Sequence, residues 1–380
     1  MNKAWFYSVA LLIYFCLPPP IEAETEPSPC SLQSQHSAGK PPIIVKRHGG
    51  YVSAPPDVNL RLTLTDGKSL YHEGEIIPLT LAFTTIAAKK YSAQTRTYDR
   101  SGRLDLETFC VTPDARDPLE DYYGSGVFGW FVSGGLSSPD HVLSRERYAV
   151  NEELNEWKWL TPGSYTLRVA SDRVALTRDE ATGLDGPVLV LSNTVRFQVV
   201  SATPQWQAEE LSRALSLLDA KQDKLNEAEF GRIQHAARIL RFLGSEDATR
   251  ELARRFWSHD QPPGPEHAPG VGYPTSEWYQ DLLSRNSWPF RAGLIGSPCR
   301  EVAIRELNAA IVDGRHPATR AMVETLALLE IQSEPEYKLP AHASITSKDW
   351  AEQGRAKVAA YNKIVNVLWE RARSTQKANH

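Results

Sequence analysis

Cysteine is scarce, at four in 380 residues, so this chain is not a disulfide scaffold and its stability must come from burial. No apolar run has the roughly 20 residues that a helix needs to cross about 30 Å of hydrocarbon. Basic residues do not outnumber acidic ones: 42 Lys and Arg stand against 46 Asp and Glu, a net charge of -4, with the acidic excess in the first half of the chain. No basic stripe is present, which argues against nucleic acid and against a polybasic membrane contact, since both depend on clustered Lys and Arg. Also missing are G-x-S-x-G, H-E-x-x-H and a P-loop, and with them the most recognisable nucleophile, zinc and nucleotide chemistries.

What is present begins with a leader. Lys3 supplies a positive start, residues 4–17 an apolar stretch, and Ile21-Glu22-Ala23 a cleavage site ending in a small residue. Pro18-Pro19-Pro20 prevents the stretch from lengthening into a membrane helix, and bulky Tyr14 and Phe15 before Cys16 do not fit a lipobox. Residues 1–23 therefore read as a secretory signal peptide and the protein as periplasmic or extracellular, with no stable membrane span after cleavage. Cleavage leaves Cys30, Cys110 and Cys299, so at most one pair forms. Either Cys30 bridges Cys110, or all three are unpaired.

The hydrophobic period changes near residue 204. Residues 24–56, rich in Pro, Ser and Gln, read as a flexible arm. Over 57–203, short alternating runs between Gly, Pro and Asp predict strands at 58–64, 76–84, 91–98, 104–111, 164–170 and 194–200, with a turn at Asp66-Gly67. Such strands without intervening helices favour an antiparallel sandwich. Over 204–380 the three-to-four-residue period predicts helices at 206–218, 230–242 and 246–257, the last capped by Ser245 with Glu246 and Asp247 in its first turn. Further helices are expected from Ser297 as N-cap with Pro298 at the first helical position, over 317–331 beyond Asp313-Gly314, and over 347–372.

Two resemblances refine this outline. Leu160-Thr161-Pro162-Gly163-Ser164-Tyr165, followed by alternating Leu167 and Val169, resembles the tyrosine corner of immunoglobulin-like and fibronectin-like sandwiches. It implies that the Tyr165 hydroxyl bonds back to backbone a few residues upstream. The stretches 236–256 and 302–329 resemble HEAT-type helical repeats, an ordinary helical bundle being the alternative. As a whole the chain resembles bacterial secreted proteins of uncharacterised role that carry HEAT-like helices. The fold class is thus an all-β, antiparallel immunoglobulin-like sandwich followed by an all-α HEAT-like domain.

Several short patterns invite chemistry and are outweighed by context. Gly124-Ser125-Gly126-Val127-Phe128-Gly129 has dinucleotide-binding spacing, but Trp130, Phe131, Gly134 and Gly135 follow where a helix is required. Ser37-Ala38-Gly39-Lys40 matches S-x-x-K yet sits in the arm, where nothing holds an oxyanion hole. His259, Asp260, Glu266 and His267 lie in a Pro-rich loop without a supporting shell for metal. Asp114, Asp117, Glu120 and Asp121 offer hard oxygens suited to Ca²⁺ but not the spacing of an EF-hand, so a solvated acidic turn is the expectation. No cofactor and no metal is expected. Trp157 and Trp159, two apart, read as core or interdomain packing.

The strongest functional candidate is the insertion 113–149, which is long for a sandwich connection. Tyr122, Tyr123, Phe128, Trp130 and Phe131 stand there among glycines, with Asp117 and Asp121 beside them. Such aromatics either form a binding surface or glue the two halves together. The sequence thus points to a non-enzymatic binding or scaffolding protein of the cell envelope or extracellular space, whose partner is an envelope protein or glycan. The alternatives are a carbohydrate-binding module, or a carbohydrate-active or peptide hydrolase with an interdomain carboxylate site drawn from Asp117, Glu120, Asp121, Glu152 and Glu153.

Overall fold

The computed structural model describes residues 46–47, 50–51, 57–95, 106–120, 140–177, 187–220, 227–259, 287–312, 318–333 and 348–378. Part of the expected arm is strand: β1 (Lys46–Arg47) pairs antiparallel with β2 (Gly50–Tyr51), while the rest of 24–56 lies outside the described residues.

The β half follows from period-two alternation. In β3 (Val58–Leu64), Val58, Leu60 and Leu62 turn inward while Asn59 and Arg61 face out. After the turn at Gly67, which takes φ +70°, come β4 (Leu70–His72), β5 (Pro78–Thr85), β6 (Tyr91–Ala93) and β7 (Glu107–Thr112). Then follow β8 (His141–Val142), β9 (Tyr148–Glu153), a 3-10 turn at Leu154–Glu156, β10 (Gly163–Leu176), β11 (Pro187–Leu191) and β12 (Val195–Val200). One sheet runs β3-β5-β9. The larger one is organised on β10, whose length lets it pair β12 and then β11 along one edge, and β7 and then β6 along the other. Inward residues of both sheets share one hydrophobic core. Asn193 closes the free edge of β3 in place of a strand: its side-chain oxygen accepts from the Leu62 N–H at 2.8 Å and its amide donates to the Leu62 carbonyl at 3.1 Å.

Several strand expectations need correction. β4 joins β12 in parallel, so the larger sheet is not wholly antiparallel. β4, β8, β9 and β11 were not anticipated, and β8 and the start of β9 fall inside the supposed 113–149 loop. β10 outruns its predicted end by six residues because Ser171 and Arg173 are polar yet buried. The tyrosine-corner contact is present, the Tyr165 hydroxyl donating to the Thr161 carbonyl at 2.8 Å while its ring stacks on Phe197.

Seven helices are described: α1 (Pro204–Asp219), α2 (Glu227–Leu243), α3 (Glu246–His259), α4 (Ser287–Gly296), α5 (Arg300–Val312), α6 (Arg320–Ser333) and α7 (Lys348–Ala378). Their caps explain their starts. Thr203 accepts from the Trp206 N–H with Pro204 at the first position, Ser245 accepts from the Ala248 N–H, and Thr319 accepts from the Met322 N–H. Ser297 instead accepts from the Cys299 N–H, so α5 starts two residues later than its expected cap implies. Asp313-Gly314 lies outside the described residues. The principal packings join each described helix to the next or the next but one, around a second, separate core.

Tyr165→Phe removes the hydroxyl bond while keeping the ring on Phe197. It is expected to lower unfolding free energy by about 1 kcal/mol with unchanged circular dichroism, read from urea denaturation.

Candidate functional site

β9 delivers Glu152 and Glu153 to opposite faces of its sheet, because successive strand residues alternate. Glu152 shares the inward side with Val150 and meets a guanidinium that is 0 % exposed. That guanidinium belongs to Arg173, on β10 at a register shift between Ser171 and Val174, the kind of bulge that re-aims a side chain. Arg173 forks onto Glu107 of β7, Nε to Oε1 at 2.7 Å and Nη2 to Oε2 at 2.8 Å, and Nη1 donates to the Gln94 carbonyl at 3.0 Å. Ser171 adds a hydroxyl bond to Glu107 at 3.1 Å, and the Glu107 side chain is only 1 % exposed.

Glu152 stands 3.6 Å from Arg173 Nη2. Burial, reinforced by the negative charge of Glu107 and only partly offset by Arg173, pushes its carboxyl up to about 8. One guanidinium offsets one carboxylate in this interior, and the second acid keeps its proton. Tyr148, under a stacked His141 ring, is also pushed up, first by burial and then by Glu107.

Glu153, on the opposite face, opens a seam between the two halves. Arg238 and Arg241, one turn apart on α2, reach back to the β half: Arg238 to Glu153 at 3.4 Å and to Glu156 at 3.5 Å, and Arg241 to Glu156 at 2.5 Å. Burial raises the Glu153 pKa despite Arg238. Asn155, beside them, accepts from the Ile77 N–H at 2.7 Å and donates to the Glu75 carbonyl at 3.0 Å, fixing the turn between β4 and β5. In that turn Gly74 takes φ +85°, and a Cβ there would stand 2.8 Å from the Phe242 carbonyl at the end of α2. Gly244, just past α2 at φ +59°, leaves room for the Trp159 ring, which a Cβ would overlap. His72 completes the seam by stacking on Trp206 at 4.6 Å.

The described root of the insertion, 113–120, sits on the same seam. Leu119 is 1 % exposed and belongs to the helical core, and Pro118 and Leu119 lie against Gly296. The Trp159 N–H donates to the Arg116 carbonyl at 2.8 Å, and Lys158 pairs with Asp114 at 3.2 Å. Of the predicted binding residues only Asp117 is described: its carboxylate accepts from the Leu119 N–H at 2.8 Å, so it shapes the turn. Tyr122, Tyr123, Phe128, Trp130, Phe131 and Asp121 lie outside the described residues. Asp114, Asp117 and Glu120 do not converge, and among the described residues no group of three or more His, Cys, Asp or Glu is placed to hold a metal. Trp157 packs in the β core on Phe109, and Trp159 packs between the halves; neither is on a strand.

Sequence reading missed Arg173, Glu107, Glu156, Arg238 and Arg241. The signal for Arg173 was its parity: it continues the inward series Tyr165, Leu167, Val169 and Ser171. The outer face of β10 and β12 carries an open groove of about 350 Å³, lined by Ser69, Ser164, Thr166, Arg196 and Gln198 with the edges of Tyr165 and Phe197. Cys110 is disulfide-bonded, to a partner outside the described residues, and Cys299 is free, so the reading with every cysteine unpaired is excluded. The sequence matches no protein-family model and no curated protein.

Glu107→Gln leaves the Arg173 charge buried without its forked partner and is expected to cost about 3–5 kcal/mol by urea denaturation. Glu152→Gln tests the proton. A carboxyl raised to about 8 in the folded state contributes stability below its unfolded pKa that is lost as pH rises through 8. The parent should therefore lose stability between pH 5 and pH 8.5, and Glu152→Gln should reduce that loss, leaving the part that Glu153, also raised by burial, contributes. Gly244→Ala should destabilise the protein by more than about 1 kcal/mol, through both φ and the Trp159 ring.

Proposed function

We propose that this protein is a secreted, non-enzymatic binding or scaffolding component of the cell envelope or extracellular space, an immunoglobulin-like sandwich carrying HEAT-like helices. The observation that carries the reading is the seating of Leu119 in the helical core, where both halves hold the root of the insertion. Residues 121–139, with Tyr122, Tyr123, Phe128, Trp130 and Phe131, follow directly on that root. Aromatic residues suit recognition of an envelope protein or glycan, because Tyr, Phe and Trp supply large contact area at a low side-chain entropy cost.

The architecture has its own support. The Tyr165–Thr161 bond is the contact a tyrosine corner requires, and packing between successive helices suits a quasi-one-dimensional repeat. Export is supported by the disulfide at Cys110, since such bonds persist in oxidising compartments. No described helix is long and apolar enough to cross a membrane.

The hydrolase alternative draws on Glu152, whose raised carboxyl has the pKa of a general acid near neutrality. Its neighbour Glu107 argues against it: both oxygens are taken by Arg173, so it is not free to attack or to activate water. Glu153 and Glu156 are likewise engaged by the α2 arginines.

The test is capture from envelope extract by the purified protein, beside a Phe128→Ala, Trp130→Ala, Phe131→Ala variant whose folding is checked by circular dichroism. A partner held by the parent and lost by the folded variant is expected. Capture that survives in the variant moves the surface elsewhere, and hydrolysis of envelope glycan or peptide by the parent would replace this reading with the enzymatic one.

A further inference from the structure

Four carboxyls and three guanidiniums gather where β9 runs into the 3-10 turn, and they are unequally shared. On the seam side two acids, Glu153 and Glu156, face two bases, Arg238 and Arg241. On the core side two acids face one base: Glu107 takes the fork of Arg173 at 2.7 and 2.8 Å, and Glu152 stands 3.6 Å from the same guanidinium. Ionising Glu153 is therefore met by Arg238. Ionising Glu152 sets a second negative charge beside Glu107, with no second cation among the described residues there.

The elements packed around Glu152 do not correct the imbalance. β5, its ladder neighbour, reads Pro-Leu-Thr-Leu-Ala-Phe-Thr-Thr and carries no titratable group. β7 brings Glu107 and β10 brings Arg173, while β9 itself adds Tyr148 beneath the His141 ring of β8. The turn adds Glu153 and Glu156, whose negative charges also disfavour ionisation of Glu152. Burial and Glu107 push its carboxyl up to about 8, so it is mostly uncharged at neutral pH.

The end of β9 is also placed to move. The strand is outermost in its sheet, pairing with β5 alone among the described residues, and its last pair sets Glu153 against Pro78, which has no N–H to donate. Beyond it, the Leu154 N–H donates to the Ile77 carbonyl at 3.0 Å, and Asn155 holds the Ile77 N–H and the Glu75 carbonyl. The 3-10 turn and residues 75–77 thus form one unit. That unit carries Glu153 and Glu156, and it adjoins Gly74, which lies against the Phe242 carbonyl of α2.

We propose that Glu152 is a proton-operated latch on the seam between the two halves. Protonated, it lets the end of β9 lie against Arg173 and present Glu153 and Glu156 to α2. Ionised, its proton passing to solvent, it draws the end of β9 toward water and slackens the hold of the turn on Arg238 and Arg241. The way out is short, because the Glu152 side chain is already 16 % exposed while Arg173 and Glu107 are closed in at 0 % and 1 %. The latch needs no ligand and is independent of the role assigned to the aromatic insertion.

Hydrogen–deuterium exchange of the full chain decides it, read by mass spectrometry at pH 6.5 and pH 9 and corrected for the intrinsic pH dependence of exchange. Segments 150–157 and 236–244 should lose protection severalfold together at pH 9 and regain it on return to pH 6.5, while β3 and α6 keep theirs. Glu152→Gln, uncharged at both pH values, should keep most of the protection in both segments. Should that variant fail to fold, a pH series on the parent decides, since the two segments must then lose protection at one shared midpoint. Equal loss over β3 and α6 is global unfolding and overturns the proposal. So does loss in 150–157 that leaves 236–244 protected, and so does full protection of both at pH 9. Equal loss in the parent and in Glu152→Gln overturns it too, by placing the titrating group elsewhere.

Discussion

The β half depends on one buried guanidinium. Arg173 belongs to the strand on which the larger sheet is organised, and from there it binds the Glu107 carboxylate on β7, the Gln94 carbonyl beyond β6, and the vicinity of Glu152 on the opposite sheet. Charge in so enclosed a place is tolerated only with its donors satisfied, so the backbone around it has little freedom to shift. The bulge between Ser171 and Val174 and the continued pairing of β10 past it accompany the placing of that one side chain inside, while burial and the Glu107 charge raise the Glu152 pKa against it. An apolar residue at the same position would fill the space without tying β7, β10 and the segment at Gln94 to one geometry.

How far the sequence disclosed this depends on whether the signal was local. β3 was legible to the residue because Val58, Leu60 and Leu62 alternate with polar neighbours, and Ser245 caps its helix where a hydroxyl precedes an apolar period. The Tyr165 contact was legible because it closes within four residues. What escaped is non-local. β9 reads as Tyr-Ala-Val-Asn-Glu-Glu, and two consecutive glutamates look like a solvated turn until Arg173 and Arg238 arrive from elsewhere in the chain. Arg241 and Arg238 look like the polar face of α2, and only the fold turns that face toward Glu153 and Glu156. β4 is three residues long and pairs in parallel, so neither length nor alternation marks it.

The seam changes what the two halves can do. A strand-to-helix change of period ordinarily signals two domains on a linker, free to reorient. Here Thr203 caps α1 immediately after β12, and three turns of the β half meet the ends of α1, α2 and α4. Gly74 and Gly244 permit backbone approaches that any side chain would prevent, and such fits do not survive sliding. The charge pairs add direction to the fit, since Arg238 and Arg241 meet their acids only where one turn of α2 faces the 3-10 turn at Leu154–Glu156.

A junction built this way argues about function through what it leaves unspent. Acids and arginines that in another protein would line a cleft are consumed in pairing: Glu107 by Arg173, Glu156 by Arg241, Asp117 by its own turn. The outward rows of the larger sheet are polar too, and there Ser164, Thr166, Arg196 and Gln198 line a shallow groove with no acid in its lining. Recognition can use a fixed surface of that kind, because a partner gains from groups already held in place. Hydrolysis needs the reverse, a carboxyl pair relieved of its structural partners and open to water. Among the described residues Glu152, whose carboxyl is pushed up to about 8, owes that rise first to burial and then to Glu107, with Arg173 3.6 Å away, so its perturbation follows from its place between the two sheets.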